Sequence, residues 1–341
     1  MRSKEIKLNT LFLNWLIFSL FLVFLIIIVG GLTRLTNSGL SIIEWELFKG
    51  ILPPLNEESW QLYFSKYKTT TQYKLINFNM TLEEFKVIFY WEYIHRILAR
   101  TIGLFFIIPL IFFYFTKKIK KEYLHTCFAI SLLIIFQGVI GWYMVKSGLV
   151  HDVTVSHYRL SLHLTIAIII VSSIYWLIKN INEKKDKIFF KFSKRYLPFQ
   201  ILLVIIFLQI ILGAFVSGLD AGMVYQSWPL MGDSFVPNDI LISNIYDTLE
   251  FDNRSLVQFY HRNLAYLIVI YVLFLTFLIY TKKNYKLYNS LKILIFILVL
   301  QISIGIFTLI SELNIYLASA HQITGVLLVF STINLYYFNA K

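Results

Sequence analysis

The sequence has little cysteine and little charge. Cysteine occurs once, as Cys127 within an apolar stretch, so the chain can form neither an internal disulfide nor a cysteine cluster around a metal. Only 15% of the 341 residues are charged and 58% are hydrophobic, a balance too apolar for a soluble domain of this length. The composition predicts a membrane protein, in which any metal chemistry has to use histidine.

Eight apolar stretches are long enough to cross a bilayer, which takes about 20 residues. They cover residues 12–33, 88–114, 123–145, 157–178, 196–217, 258–280, 288–310 and 316–338. The first ends in Gly30, Gly31 and Arg34 without a small-residue cleavage site, so we expect a retained helix. The predicted fold class is an all-α polytopic membrane protein with eight transmembrane helices.

The net charge of +12 does not indicate nucleic acid, because the cations alternate with the spans. Lysine and arginine concentrate in residues 2–7, 117–121, 179–195 and 282–292, whereas the segments after the fifth and seventh spans are acidic. By the positive-inside rule both termini face the cytoplasm. We expect a multi-pass protein surrounded by lipid in a bacterial inner (plasma) membrane, with the mitochondrial inner membrane as the second choice.

An internal repeat divides the chain into two halves of four spans. The matched strings are Gly30-Gly31 with Gly213-Ala214, Glu92 to Ala99 with Gln258 to Ala265, Gln137 to Gly141 with Gln301 to Gly305, and His163 with His321. Four spans per half is an even number, so the halves should be related by an axis along the membrane normal. The repeat predicts two pseudo-symmetric four-helix bundles.

The predicted domains follow from the repeat. The N-terminal bundle covers residues 1–178 with a long outer loop at 34–87, and the C-terminal bundle covers 196–341 with an outer loop at 218–255. Residues 179–195 form a basic cytoplasmic linker. Within the first loop, Glu57 to Tyr67 is predicted to be an amphipathic helix lying on the membrane surface, and the second loop is expected to cap its bundle.

Four of the seven histidines occupy equivalent repeat positions, namely His95, His163, His261 and His321. Ionisable side chains inside a bilayer are costly unless they are paired or ligated. Two imidazoles from opposite helices of a bundle are the ligand set of a b-type haem. We prefer His163 to His157, because only His163 matches His321, and we expect His125 and His151 to be solvated.

Other polar residues accompany the histidines. Arg96, Arg100, Arg159 and Arg262 are either anchors for haem propionates or interfacial side chains. Glu92 precedes His95 by three residues, whereas the equivalent residue of the second half is Gln258. A one-sided carboxylate suggests that one haem is processed and the other retained, with Glu92 as a proton acceptor or as a stabiliser of developing positive charge. The alternative is that Glu92 orients a ligand histidine.

These strings resemble the haem A synthases of the mitochondrial and alphaproteobacterial type over nearly the whole chain. The resemblance is carried by Gly30 to Thr36, Ser38 to Ser41, Pro53-Pro54-Leu55 with Trp60, Glu84-Phe85-Lys86, Glu92 to Arg96, Tyr158-Arg159-Leu160, Gly218 to Gly222, Trp228 to Gly232 and His261-Arg262. It implies oxidation of the C8 methyl of haem O to a formyl group by successive hydroxylations with oxygen from water.

The resemblance also implies roles for the site residues. His261 and His321 are the expected ligands of a resident haem b, through which electrons leave, while His95 and His163 hold the substrate haem and Glu92 is catalytic. His157 stands where relatives are expected to have glutamine, so it is an alternative to His163. The absence of paired loop cysteines indicates the cysteine-free type. Haem O synthase, an electron acceptor and further copies of the chain are the partners to consider.

Two other functions use the same four histidines. A di-haem b-type electron-transfer cytochrome would move electrons without changing a porphyrin, and a haem transporter or chaperone would release its pigment unchanged. The difference between Glu92 and Gln258 favours the enzyme, because a pure electron carrier has no evident need for a carboxylate in one half.

Overall fold

The computed structural model describes residues 2–45, 49–151, 153–191, 193–240 and 244–340. These residues form ten α-helices and no named strand. The helices are α1 Arg2–Leu35, α2 Glu57–Tyr67, α3 Thr71–Leu75, α4 Leu82–Thr116, α5 Lys121–His151, α6 His157–Asn182, α7 Leu197–Gly218, α8 Arg254–Thr281, α9 Tyr288–Ile310 and α10 Ile315–Asn339. Within this part of the chain, all except α2 and α3 are long and apolar enough to cross a membrane, which confirms the eight predicted spans.

Polar caps begin α4 and α8 before the apolar runs that predicted them. At the start of α4, the Thr81 hydroxyl accepts a hydrogen bond from Glu84 N, and the Glu84 carboxylate accepts one from Thr81 N. This capping box satisfies N–H groups that the first helical turn leaves without partners. At the start of α8, the side chain of Asn253 caps Leu256 N in the same way.

The chain divides into two compact units, one ending at Ile178 and the other beginning at Lys179. The first unit contains α1, α4, α5 and nearly all of α6, together with the outer segment between α1 and α4. The second unit contains α7 to α10. In the second unit α8 packs beside α7 and α9, and α10 packs beside the same two helices, so α8 and α10 occupy opposite corners of a four-helix arrangement.

A proline within α4 is compensated by a neighbouring helix. Pro109 has no N–H, so the carbonyl of Phe105, four residues earlier, lacks its usual helical donor. The indole Nε1 of Trp15 on α1 donates to that carbonyl at 2.9 Å. The Trp15 ring also packs against Phe106 and Phe113. This contact fixes the pairing of α1 with α4 in the first unit.

The outer segment of the first unit folds onto the extended start of α4. The helix predicted at Glu57 to Tyr67 is confirmed as α2. Its apolar face was expected to lie on the membrane, but Trp60, Phe64 and Tyr67 are buried against Phe85 and Phe89. The face is buried because the capping box lengthens α4 beyond its apolar run and gives α2 a protein surface on which to pack. Burial raises the pKa of the Tyr67 phenol.

The basic segment after α6 is fastened to the end of α10. Asn180 receives a hydrogen bond from the Lys187 backbone N–H and another from the Tyr337 hydroxyl at 3.2 Å, and it donates to the Lys187 carbonyl at 2.9 Å. The ammonium of Lys187 donates to the carbonyls of Tyr337 and Ala340, close to where a helix leaves its last carbonyls without partners. The segment predicted as a linker is thus part of the second unit.

The buried side chain of Asn180 provides a test of this fastening. We expect Asn180→Ala to destabilise the protein by about 1–3 kcal/mol, because it leaves buried partners without hydrogen bonds. Thermal unfolding in detergent measures the effect. The matched control is Asn182→Ala, because Asn182 is exposed at the end of the same helix. Equal unfolding temperatures for the two variants would show that the Asn180 contacts contribute nothing.

Candidate functional site

The four histidines at repeat positions lie on α4, α6, α8 and α10. Each is closely surrounded by protein atoms, yet each keeps part of its surface accessible. None of the four is therefore sealed within a packed core. His125 is exposed on α5, as predicted, and the side chain of His151 lies outside the described residues. His157 is buried at the start of α6 beside Tyr158.

The histidines of the second unit lie close together. The ring centroids of His261 and His321 are 6.4 Å apart. Because a bond between a metal and an imidazole nitrogen is about 2 Å long, two imidazoles on opposite sides of one metal ion have centroids about 6 Å apart. The pair therefore fits the axial ligand set of a b-type haem.

The ring of His321 is held in one tautomer by a backbone group. His321 Nδ1 lies 3.2 Å from the carbonyl oxygen of Gln301 on α9, so Nδ1 carries the proton that it donates. Nε2 then has the lone pair that a metal requires. Metal-binding histidines commonly donate their other ring N–H to a carbonyl in this way. On the opposite corner, Gln209 Nε2 of α7 lies 3.2 Å from His261 Nδ1 and donates to the His261 carbonyl at 3.0 Å.

The histidines of the first unit are held less firmly. His95 and His163 are close enough to interact electrostatically. Gln137, the repeat equivalent of Gln301, donates to the backbone carbonyl of His163 at 2.9 Å. Nδ1 of His163 is buried and has no hydrogen-bond partner among the described residues. No group among the described residues therefore fixes the tautomer of this ring, as the Gln301 carbonyl fixes that of His321.

The carboxylate of Glu92 is buried, and both of its oxygens are fully hydrogen-bonded. It is 2% exposed. Oε2 accepts hydrogen bonds from the backbone N–H and the hydroxyl of Ser41, both at 2.7 Å, and from Ile42 N at 2.9 Å. Oε1 accepts two from Arg96, at 2.6 Å and 3.0 Å. Since a carboxylate offers about four lone-pair sites, Glu92 has to give up a bond before it can take a proton.

Arg96 extends this contact to the outer segment. Besides Glu92 it donates to the carbonyls of Ile42 at 2.7 Å and Glu44 at 3.1 Å, and its guanidinium lies over the ring of Trp45. Glu92 and Arg96 together therefore bind the chain that covers the outer end of α4. A sequence separation of 51 residues between Ser41 and Glu92 hides this contact from sequence reasoning.

The second unit has the same arrangement, with a neutral glutamine in place of the glutamate. Gln258 donates to the carbonyl of Tyr225 at 2.9 Å, and Arg262 donates to Tyr225 at 3.0 Å and to Leu230 at 3.3 Å. The glutamine and the arginine thus hold residues 225–230 over the second bundle, as Glu92 and Arg96 hold residues 41–44 over the first. The carboxylate is the chemical difference between the two arrangements.

The other two arginines belong to the first unit. Arg100 donates to the carbonyl of Gly50 at 2.9 Å. Arg159 donates to Ser147 Oγ at 2.5 Å and lies over the ring of Tyr143. Because Arg159 precedes His163 by four residues, the two side chains share a face of α6. The equivalent positions of the second unit are Tyr266 and Leu317, so the first unit has two additional cations for binding an anionic group.

A bare metal ion has no obvious site in the described part of the chain. No group of three or more histidine, cysteine, aspartate or glutamate side chains comes together there. Each unit instead provides two imidazole side chains, and each of these side chains is partly exposed. This donor set fits a metal that brings its own equatorial ligands, as a haem does.

Comparisons with known proteins agree with this chemistry. Residues 13–333 match the family model described as cytochrome oxidase assembly protein. Over 327 residues, the chain is 48% identical to the haem A synthase of Pelagibacter ubique, which covers 96% of each protein. It is 41% identical to the haem A synthase of Rickettsia canadensis over 94% of this chain and 95% of that protein, and 42% identical to that of Rickettsia felis.

The contact between Glu92 and the outer segment leads to a prediction. Removing one partner of a buried ion pair costs about 3–5 kcal/mol, so Glu92→Ala should release residues 41–44. We expect the amide hydrogens of Ser41 and Ile42 to exchange about a hundredfold faster or more. Hydrogen–deuterium exchange with mass spectrometry measures this rate. Glu58→Ala, at an exposed position of α2, should leave it unchanged, and equal protection in both variants would contradict the anchoring role.

Proposed function

We propose that this chain is a haem A synthase of the membrane, because it belongs to the cytochrome oxidase assembly protein family. The reaction converts the C8 methyl group of haem O to a formyl group by successive hydroxylation. Each conversion takes one oxygen atom from water and releases four protons and four electrons. The observation that best supports this function is the presence of one histidine pair in each unit, at equivalent repeat positions, within a chain so similar to known haem A synthases.

We assign the resident cofactor, haem b, to the second unit. His261 and His321 would hold its iron, and the separation of their rings supports this assignment. Bound there, haem b would accept electrons one at a time and pass them to an external acceptor. The hydrogen bond from His321 to the Gln301 carbonyl supports a lone pair on Nε2, which would hold iron in place of its present 3.4 Å contact with the Gln301 side-chain nitrogen. Gln209 contacts the ring of His261.

We assign the substrate haem O to the first unit. A substrate has to enter and leave, and the unpartnered Nδ1 of His163 supports a ligand that is not permanently fixed. His95 is its proposed partner. Arg159 shares a helix face with His163, so it is a stronger candidate for a propionate contact than Arg96 or Arg262, which hold the outer segments.

Glu92 remains the proposed catalytic residue. Its hydrogen bonds support one of its two expected roles over the other, because five donated hydrogen bonds already occupy its two oxygens. A fixed negative charge, held by Arg96 and Ser41, can instead stabilise positive charge that develops during oxidation. Gln258 has no charge to provide this effect in the second unit.

The proposed location is the bacterial inner membrane, with both termini in the cytoplasm. The eight helices long enough to cross a membrane, counted over the described residues, and the alternation of basic and acidic connecting segments support it. An electron acceptor, haem O synthase and further copies of the chain remain proposed partners.

Pigment analysis tests the function and separates the two histidine pairs. After co-expression with a source of haem O, the extracted pigments should contain formyl haem A. We expect His261→Ala and His321→Ala to lose haem b, and His95→Ala and His163→Ala to keep haem b but form no haem A. His125→Ala is the control at an exposed position. Haem without any formyl product would indicate the electron-transfer cytochrome, and release of unchanged haem O would indicate a transporter.

A second prediction concerns the charge of Glu92. Glu92→Gln should keep haem b and reduce haem A formation by about a hundredfold or more, because a preorganised charge in a site shielded from water contributes that much to a reaction rate. The rate of haem A formation in membranes supplied with haem O measures the effect. The protection of the Ser41 amide from hydrogen exchange should be measured in the same variant. Full activity of Glu92→Gln would remove Glu92 from the mechanism, and lost activity with lost protection would indicate a positioning role.

A further inference from the structure

Each of the four histidines rests against a glycine of the preceding membrane-spanning helix. The nearest imidazole atom to a Cβ built on that glycine is 3.3 Å away for Gly30 with His95, 3.0 Å for Gly141 with His163, 3.1 Å for Gly213 with His261 and 2.7 Å for Gly305 with His321. Gly30 matches Gly213 in the repeat, and Gly141 matches Gly305. The same contact therefore recurs at four equivalent places.

We propose that these glycines are positioning residues, which let the histidine ligands approach the neighbouring helix and set the planes of their rings. The inference rests on the proposed binding of haem by the four histidines. Within a helix, a glycine is less favourable than an alanine by about 1 kcal/mol of folding free energy. Packing against the imidazole has to offset this cost at each of the four contacts. An alanine methyl group would come within 2.7–3.3 Å of the nearest atom of each ring.

The contact of Gly305 with His321 shows what the missing side chain permits. In an α-helix the carbonyl of residue 301 points towards the N–H of residue 305, so a side chain at 305 stands beside that carbonyl. His321 Nδ1 reaches the Gln301 carbonyl at 3.2 Å by crossing this space. A Cβ on Gly305 would lie 2.7 Å from His321 Cε1 and 3.1 Å from Nδ1. The ring would have to move, and its hydrogen bond with it.

The residues beside the glycines differ between the units. In the second unit both rings have a polar neighbour on the glycine's helix, Gln209 for His261 and the Gln301 backbone for His321. In the first unit the residue equivalent to Gln209 is Ile26, and Nδ1 of His163 has no hydrogen-bond partner among the described residues. The glycines thus let all four rings approach a neighbouring helix, and the polar groups additionally fix those of the second unit.

The distances predict a graded effect of alanine substitution. Contacts below 3.0 Å are essentially never made by a real Cβ atom, so Gly305→Ala has to displace His321, whereas Gly213→Ala at 3.1 Å needs a shift of only a few tenths of an ångström. Gly138 is the matched control, because it lies on α5 three residues before Gly141 and a Cβ there meets nothing within 4 Å.

The experiment uses the full-length protein purified with its haem. Electron paramagnetic resonance of the oxidised low-spin haem reports the relative orientation of two imidazole planes, and transfer of haem to excess apomyoglobin reports how firmly it is held. We expect Gly305→Ala to shift the low-spin signal and to lose haem about tenfold faster or more, as follows from losing the partner of a metal-binding histidine. Gly213→Ala should give a smaller shift, and Gly138→Ala should match the parent protein.

The outcomes separate this proposal from the assigned function. A parent protein without a histidine-dependent low-spin haem would overturn the proposed function and the role of the glycines together. A parent protein with such a haem, combined with parental spectra and parental haem loss in both Gly305→Ala and Gly213→Ala, would overturn the positioning role alone. If Gly305→Ala fails to fold, Gly213→Ala still decides, because a parental signal in that variant would contradict the proposal.

Discussion

Polar groups within the bilayer have to find their partners inside the protein, because lipid tails neither donate nor accept hydrogen bonds. The helices meet this constraint locally wherever they can. Three threonine hydroxyls donate hydrogen bonds to the carbonyls four residues earlier in their own helices, namely those of Thr33, Thr276 and Thr308. Where Pro109 removes a donor, the indole of Trp15 replaces it. Nδ1 of His163 is one of several buried side-chain atoms that find no partner among the described residues, and it belongs to a histidine at a repeat position.

The same constraint gives Glu92 its surroundings. A carboxylate beneath the outer segment needs donors, and Arg96, Ser41 and Ile42 supply them. The counterpart of this arrangement in the second unit uses Gln258 and Arg262 to bind the Tyr225 carbonyl. Holding a covering segment therefore does not require a negative charge. The presence of a carboxylate in the first unit is consequently better explained by chemistry than by architecture.

The sequence predicts the architecture well because hydrophobic length and charge alternation are local properties. The eight spans follow from apolar runs, and duplication selects His95, His163, His261 and His321 without any knowledge of contacts. Helix starts are less predictable, since the capping box of Thr81 and Glu84 extends α4 beyond its apolar run. That extension in turn provides the surface on which α2 packs, which explains why its apolar face is buried against protein.

The contacts that distinguish one site from the other could not be predicted. Ser41 meets Glu92 across 51 residues, and the acceptor for His321 is the backbone of Gln301, a group that every residue has. Sequence comparison of the halves does show Gln209 against Ile26, but only the structure shows that this position faces a histidine. Long-range contacts and backbone acceptors leave no pattern along the chain.

A duplicated bundle can serve two functions only if its copies come to hold the same ligand differently. The four histidines and their glycines are shared, so the difference has to come from the groups around them. In the second unit a carbonyl holds Nδ1 of His321, which favours a permanently bound haem. In the first unit the equivalent nitrogen is unpartnered, while Arg100, Arg159 and Glu92 add charge that the second unit lacks. A less firmly held ligand and a more strongly charged site are what the proposed substrate, which has to exchange and react, would require.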